Sequence, residues 1–233
     1  MIRGVLFDLG DTLITSRNVI ETFQAILREK GIEKSLKEIE KARSKASAEF
    51  IGKHKDMGPS DSRDFNEIYA LWNEEVLKEL KLKRKGLGKY INKRWFDVVG
   101  LKPYEDSATV LNRLSVMGLR IGIVTNGFRK EVDAIFDIMG GPLKASMFAV
   151  IVGRDTAGAS KPDPRPFLHA AGTLGLRPDE VMFVGDRYDK DYIGSQAAGM
   201  KPVLILRGRK LPAGVPEDVI KIQTLDELVD LIG

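Results

Sequence analysis

The chain has 233 residues, a formal net charge of +4 and 43% apolar residues, with two histidines and no cysteine. Such a composition suits a globular protein with a full hydrophobic core, and it excludes disulfides, cysteine nucleophiles and metal sites built from thiolates or several histidines. The sequence contains no apolar run near the roughly 20 residues that span a bilayer, and it has no secretory signal pattern. We therefore expect a cytoplasmic protein without a membrane partner.

The first predicted strand is the apolar run that begins at Ile2 and ends at Asp8, within the stretch FDLGDTL. It is followed by roughly ninety residues, from 16 to 100, whose apolar spacing is that of helices throughout. This length is too great for a simple crossover between parallel strands, so the pattern predicts an inserted helical cap domain. The core domain would then consist of residues 1–15 and 101–233.

A basic stretch, KELKLKRKGLGKYINKR, occupies residues 78–94 of the predicted cap. A run of this kind is typical of a solvated helical face, and among its charges lies a single aromatic residue, Tyr90. The sequence around it matches no nucleic-acid-binding motif. We therefore expect no nucleic-acid partner, and a steeply salt-dependent affinity for oligonucleotides would contradict this expectation.

Four more apolar runs follow the predicted cap, and they end at Asn126, Gly153, Asp186 and Arg207. They are apolar on both faces, as strands covered by helices on both sides of a parallel sheet require. Helical patterns alternate with them at residues 106–118, 129–140 and 164–175, each ending at a glycine. The alternation predicts an α/β fold, a doubly wound Rossmann-like parallel sheet core with the inserted helical cap.

Polar residues gather at the carboxyl ends of the predicted strands and just after them, where open α/β sheets bind ligands. They are Asp8, Asp11, Thr125, Asn126, Lys161, Asp186 and Asp191. Each alone is a common turn or helix-cap residue, but turn chemistry explains the whole set poorly. Several carboxylates at one point repel one another unless a hard cation lies between them, and oxygen ligands favour Mg²⁺. A lysine and a hydroxyl beside such a site suit an anionic group such as phosphate.

The order of the segments FDLGDTL, IVTNG, SKPDP and FVGDRYDKD resembles the four motifs of the haloacid dehalogenase-like (HAD) hydrolase superfamily. The inserted helices resemble the C1-type cap of that superfamily. The resemblance implies a Mg²⁺-dependent phosphohydrolase. Such an enzyme would act on a small phosphorylated metabolite through an aspartyl-phosphate intermediate.

Carried onto this chain, the resemblance implies that Asp8 is the nucleophile and that Lys161 stabilises both the nucleophile and the transferring group. Thr125 and the backbone of Asn126 would hold the phosphoryl oxygens. Asp189 matches no ligand position. The metal ligands would be Asp8, the backbone carbonyl of Gly10, Asp186 and Asp191.

The first motif departs from the family pattern Asp-x-Asp-Gly-Thr, because Gly10 stands where phosphatases carry the second aspartate. That aspartate acts as general acid and base, a contribution of typically about 10²- to 10⁴-fold. Asp11 is a candidate substitute, since Gly10 allows backbone angles that turn the next side chain toward the site; alternatively, Asp11 only caps the turn. A third alternative is a substrate whose leaving group needs no proton, such as an acyl or aryl phosphate or a phosphoanhydride.

Three other functions remain open from the sequence. A 2-haloacid dehalogenase would also lack the second aspartate, but such enzymes work without metal, and GDRYDKD keeps the metal-binding form. A phosphonate-cleaving hydrolase would use a cap lysine as a Schiff base. A non-catalytic phosphate-binding protein of the HAD fold is the third, and the presence of Asp8, Thr125, Lys161 and Asp186 together argues against it.

Overall fold

The computed structural model describes residues 1–53 and 64–232. The chain divides into two compact units, one formed by Met1–Thr15 with Lys102–Gly233 and the other by Ser16–Leu101. Each unit has its own cluster of buried apolar side chains. The two units are therefore described separately.

Among the described residues, the strands all belong to the first unit. In chain order they are β1 (Gly4–Phe7), β2 (Ile14–Thr15), β3 (Lys102–Pro103), β4 (Arg120–Val124), β5 (Val150–Val152), β6 (Val181–Gly185), β7 (Lys201–Ile205) and β8 (Lys221–Ile222). Six of them form one sheet in the order β5-β4-β1-β6-β7-β8, and each neighbouring pair in it is parallel. The strands β2 and β3 form a separate antiparallel pair.

Helices occur in both units. The second unit contains α1 (Val19–Arg28), α2 (Leu36–Lys53), α3 (Phe65–Glu79) and α4 (Leu87–Val99). The first unit contains α5 (Ser107–Val116), α6 (Arg129–Met139), α7 (Arg154–Ala157), α8 (Arg165–Thr173) and α9 (Ile193–Ala197). A π-helical turn at Tyr188–Tyr192 precedes α9, and 3₁₀ turns lie at Ala145–Met147, Pro178–Glu180 and Leu225–Leu231.

The central strands are apolar because helices cover both of their faces. Every residue of β1 and β6 is buried, as strands inside a parallel sheet require. On one face Phe167 of α8 packs edge-on against Phe183 of β6, with ring centroids 4.8 Å apart, and burial of each such ring stabilises the fold by roughly 1.5–3 kcal/mol. The α/β fold with a parallel sheet that the sequence predicts is confirmed.

Some local predictions differ from the structure. The apolar run at 147–153 predicts a strand of that length, but the observed strand covers only Val150–Val152. A 3₁₀ turn at Ala145–Met147 occupies the start of the run. The strands β2, β3 and β8 were not predicted. Each has two residues, and so short an element carries no measurable alternation of apolar and polar side chains.

The strand order reverses at β1. From β1 the chain proceeds to β4 and β5 on one side, and it then returns to β6 on the other side of β1. Open α/β sheets bind ligands at such a switch point, beyond the carboxyl ends of the strands. In this sheet those are the ends of β1, β4 and β6.

The described part of the second unit consists of helices packed around their own apolar core. Phe23, Ile26, Leu77 and Ile91 are almost completely buried within it. Asn18 caps helix α1 at its N-terminus, because its side chain accepts a hydrogen bond from the backbone N–H of Ile20. None of the described helices in either unit combines the length and the apolar character that a membrane span needs.

Candidate functional site

Polar side chains meet at the carboxyl ends of β1 and β6. Asp8 follows β1 directly, and its backbone N–H donates to the carbonyl of Val184 in β6, 2.9 Å away. Asp186 follows β6 directly, and Asp191 lies in the π-helical turn that comes after it. These positions bring together three carboxylates that the sequence predicts to share one site.

Lys161 lies between two of these carboxylates. Its Nζ atom is 2.6 Å from Oδ1 of Asp8 and 2.6 Å from Oδ1 of Asp191. The lysine side chain is 3% exposed, so this interaction takes place away from solvent. The loop between α7 and α8 therefore places a buried cation at the strand end that carries Asp8.

The three carboxylates are close enough to share a ligand. One oxygen from each of Asp8, Asp186 and Asp191 lies within 4.8 Å of the others. Asp191 reaches the cluster because Gly185 has no side chain: a methyl group on Gly185 would overlap the Asp191 carboxylate. Asp191 also accepts a hydrogen bond through Oδ2 from the backbone N–H of Arg187, at 2.9 Å.

Burial and mutual repulsion dominate the electrostatics of the carboxylate cluster. Burial, and then repulsion from Asp191 and Asp186, raise the pKa of Asp8 from 3.8 to about 7 against the attraction of Lys161. Burial and the charge of Asp191 likewise raise the pKa of Asp186. Burial alone would lower the pKa of Lys161, but Asp8 and Asp191 outweigh it and raise that pKa, so the lysine stays protonated.

This donor set fits a hard divalent cation. The three carboxylates supply oxygen ligands, and burial together with their mutual repulsion raises the pKa values of Asp8 and Asp186 despite the nearby cations Lys161 and Arg209. A divalent cation would remove that repulsion. Gly10 lies in the turn after Asp8 and is exposed.

Thr125 and Asn126 follow β4, next to β1 in the sheet. The Thr125 hydroxyl oxygen accepts a hydrogen bond from the backbone N–H of Gly127 at 3.1 Å, so its proton is free to donate elsewhere. The Asn126 side chain binds the backbone of Lys161 twice: its Oδ1 accepts from the Lys161 N–H at 2.7 Å, and its Nδ2 donates to the Lys161 carbonyl at 3.1 Å. Asn126 thus holds the loop that carries the lysine.

Asp11 lies in the turn after Asp8 with a left-handed φ of 52°. Its backbone N–H donates to the carbonyl of Ile14 at 2.7 Å. Its charge contributes to the raised pKa of Asp186, although as the smallest of the causes, after burial. Gly10 has open space on the side where a Cβ would lie.

Two features of the site were missed by reasoning from the sequence. Arg209, in the loop after β7, lies 3.1 Å from Oδ2 of Asp186. The side-chain bonds of Asn126 to Lys161 were also missed, since the sequence indicates only a backbone role for Asn126. No motif marks either contact, because both join residues far apart in the chain. Asp189 pairs with Arg187 at the surface, 60% exposed, away from the ligand set.

The chain is similar to known proteins over most of its length. The family model of the haloacid dehalogenase-like hydrolases matches residues 2–199. A glyceraldehyde 3-phosphate phosphatase from Methanopyrus kandleri is 33% identical over 90% of this chain and 86% of its own length. A phosphoglycolate phosphatase from Aquifex aeolicus is 31% identical over 92% of this chain and 90% of its own length. The crystal structure of a HAD phosphatase from Thermococcus onnurineus, 26% identical, superposes with a TM-score of 0.64 over 100% of this chain and 98% of that one.

Proposed function

Because the chain belongs to the haloacid dehalogenase-like hydrolase family, we propose that this hydrolase is a phosphatase that uses Mg²⁺ and forms an aspartyl-phosphate intermediate. The observation that carries the proposal is the contact of Asp8 with the buried ammonium group of Lys161, beside two further carboxylates. Asp8 is the nucleophile. Its position at the end of β1 puts a carboxylate at the switch point of the sheet, where ligands of such folds bind.

The reaction proceeds in two displacements at phosphorus. A carboxylate oxygen of Asp8 attacks the phosphorus of the substrate, and the bond to the leaving oxygen breaks. Water then attacks the phosphorus of the aspartyl phosphate, which releases inorganic phosphate and restores Asp8. Lys161 favours the ionised form of Asp8 that the attack requires, because the lysine remains protonated between two carboxylates.

The phosphoryl oxygens need hydrogen-bond donors and positive charge. Lys161 supplies a cation beside the nucleophile, and the Thr125 hydroxyl and the backbone N–H of Asn126 supply donors at the end of β4. Fixed donors of this kind are effective because they need no reorganisation as charge develops. Asn126 has a second part to play, since its side chain keeps Lys161 in place.

The residues that would hold Mg²⁺ are Asp8, the carbonyl of Gly10, Asp186 and Asp191. When bound, the ion neutralises charge on the carboxylates and on the transferring phosphoryl group. Asp186 and Asp191 do not take part in proton transfer. They keep the ion beside Asp8, and Gly185 allows Asp191 to approach.

In this proposal Asp11 protonates the leaving group. Its left-handed φ of 52° and its electrostatic effect on Asp186 support a carboxylate that faces the acidic cluster from the turn. Gly10, where HAD phosphatases usually carry this aspartate, has no side chain to do so. Leaving groups that need no proton would depend less on Asp11, so acyl and aryl phosphates are expected to be the faster substrates.

The proposed substrate is a small phosphorylated metabolite. Two relatives of more than 30% identity are named for glyceraldehyde 3-phosphate and for phosphoglycolate, which are both short carbon chains with one phosphate. The helical unit Ser16–Leu101 is proposed to be the cap domain that selects among such substrates. Neither nucleic acid nor a membrane enters this proposal.

The proposal is tested by hydrolysis of p-nitrophenyl phosphate with Mg²⁺ and with excess EDTA. We expect turnover that requires both Mg²⁺ and Asp8, and Asp8→Asn to be inactive. Asp189→Asn is the matched control, because it makes the same chemical change in a carboxylate that is exposed and outside the cluster. Activity of Asp8→Asn near that of the wild type would refute the assignment of Asp8 as the nucleophile.

A substrate panel separates the remaining alternatives. Glyceraldehyde 3-phosphate, phosphoglycolate and acetyl phosphate test the proposed class, whereas a 2-haloacid and a phosphonate test the other reactions of the family. Release of halide from the 2-haloacid in EDTA, without phosphate release from any ester, would replace the phosphatase proposal by a dehalogenase. Binding of phosphate without turnover of any compound would indicate a non-catalytic protein.

A further inference from the structure

The turn that joins Asp8 to β2 contains strained backbone. Asp11 has a left-handed φ of 52°, and Arg207, two residues after β7, has one of 53°. Such angles cost free energy in residues other than glycine, and they persist where surrounding contacts over-determine them. The two residues belong to the same small region, because the Arg207 side chain binds the residue after Asp11.

Arg207 binds the carbonyl of Thr12 with two of its donors. Its Nε is 3.2 Å and its Nη2 2.5 Å from that oxygen. Thr12 is completely buried, so its carbonyl cannot be satisfied by solvent. The next carbonyl in the turn, that of Leu13, accepts from the Ser107 hydroxyl at 2.7 Å and from the N–H of Tyr104 at 3.1 Å. Contacts from distant segments therefore hold two consecutive carbonyls of this turn.

Asp106 holds Arg207 in this position. Its Oδ2 atom is 2.6 Å from Nη1 of Arg207, and the two side chains are only 10% and 5% exposed. The same oxygen accepts from the backbone N–H of Leu225 at 2.8 Å. The guanidinium group also stacks on the ring of Tyr104, 3.9 Å from its centroid. A planar, forked cation can make these contacts at once, which a lysine ammonium cannot.

From these contacts we propose that Arg207, oriented by Asp106, is a positioning residue for the nucleophile turn. It acts through the Thr12 carbonyl to keep residues 8–12 in the conformation that presents Asp8 and Asp11 to the acidic cluster. The contact spans 195 residues of sequence. This inference rests on the proposed function for its effect on turnover, but its effect on the turn itself is independent of that function.

The main test is Arg207→Lys. This variant keeps a positive charge beside Asp106 but removes the pair of hydrogen bonds to the Thr12 carbonyl. We expect kcat to fall about 10- to 100-fold, since small displacements of a reacting group have effects of that size. KM should change less than about twofold, because Arg207 does not touch the substrate. Hydrogen exchange of the backbone amides of residues 11–14 should become at least about tenfold faster.

Two further variants make the test decisive. Arg177→Lys is the matched control, because Arg177 forms an exposed pair with Asp179 in the same unit; it should leave kcat and exchange unchanged. If Arg207→Lys does not fold, the double variant Asp106→Asn with Arg207→Gln removes both buried charges together. It should show the same faster exchange at residues 11–14 and the same loss of kcat.

The outcomes separate this inference from the proposed function. A merely structural role would lower the melting temperature of Arg207→Lys but leave kcat per folded molecule and the exchange of residues 11–14 at wild-type values, which would overturn the inference. If wild type itself has no phosphatase activity, the proposed function fails. The hydrogen-exchange measurement alone then decides whether Arg207 positions the turn. Faster exchange confined to residues 11–14 would still support the positioning role.

Discussion

The ammonium group of Lys161 lies 2.6 Å from the carboxylate of Asp8, although 152 residues separate them in the chain. A second carboxylate, that of Asp191, is equally close to the same atom. This buried cation between two anions favours the charged form of the proposed nucleophile, against the burial that raises its pKa.

Lys161→Met should lower kcat about 10²- to 10³-fold, the usual cost of removing one group that stabilises transition-state charge. The side chain is almost completely buried, so the methionine retains most of its packing. Lys130→Met, at an exposed position of α6 in the same unit, is the control and should keep full activity. Single-turnover measurements would show whether phosphoryl transfer to Asp8 is the step affected. A variant with wild-type kcat would remove Lys161 from the mechanism.

The raised pKa of Asp8 predicts how the stability of the metal-free protein depends on pH. Burial, followed by the nearby carboxylates, raises this pKa from 3.8 to about 7, so between those values the folded state binds a proton that the unfolded state has lost. The free energy of unfolding should therefore fall as pH rises from about 4 to about 7 and then level off. In Asp8→Asn this contribution is absent, so the variant should melt at a higher temperature than wild type at pH 8. Thermal melts in EDTA test this, and parallel curves for the two proteins would contradict it.

Binding of Mg²⁺ should stabilise the wild type and not Asp186→Asn. The cation relieves the repulsion among the three carboxylates and binds only the folded state, so the melting temperature should rise with its concentration. Asp186→Asn should weaken this binding by at least the roughly 10- to 100-fold that loss of an outer-sphere partner causes. Asp189→Asn should titrate like wild type. An unchanged titration of Asp186→Asn would exclude Asp186 as a ligand.

Gly10→Asp should increase activity on alkyl phosphates. Nothing lies within 4 Å of the position that a Cβ on Gly10 would occupy, and its φ is outside the left-handed region, so an aspartate fits. If a general acid is limiting, kcat for an alkyl phosphate should rise about tenfold or more while the rate for an aryl phosphate stays within a factor of about two. Gly10→Asn is the matched control, because it has the same shape without the acid. Equal rates for the two variants would show that protonation is not limiting.

Gly185→Ala should disable the metal site. The added methyl group would overlap the Asp191 side chain, so either the carboxylate or the end of β6 must move. We expect at least a tenfold loss in Mg²⁺ affinity and a lower melting temperature, at about 2–4 °C for each kcal/mol lost in a chain of this size. Gly172→Ala, in α8 with free space around it, is the control and should be neutral or slightly stabilising. Wild-type affinity in Gly185→Ala would show that Asp191 has room to adjust.

The fold class and most of the elements of the core follow from local patterns in the sequence. Strands covered on both faces must be apolar throughout, so β1, β4, β6 and β7 are recognisable as local runs. The sequence also identified the polar residues at the strand ends, because carboxylates directly after buried strands are visible without knowledge of the partners. Short strands such as β8 cannot be predicted in this way, since two residues have no periodicity.

The contacts between individual polar groups, in contrast, depend on how the chain folds. The bonds of Asn126 to Lys161, of Arg209 to Asp186 and of Arg207 to Thr12 each join segments far apart in the chain. Local propensity and periodicity depend on residues within a few positions of one another, whereas these contacts exist because the parallel strands bring distant loops to one edge of the sheet. The same geometry raises the pKa of Asp8, since that shift comes chiefly from burial, which exists only in the folded chain.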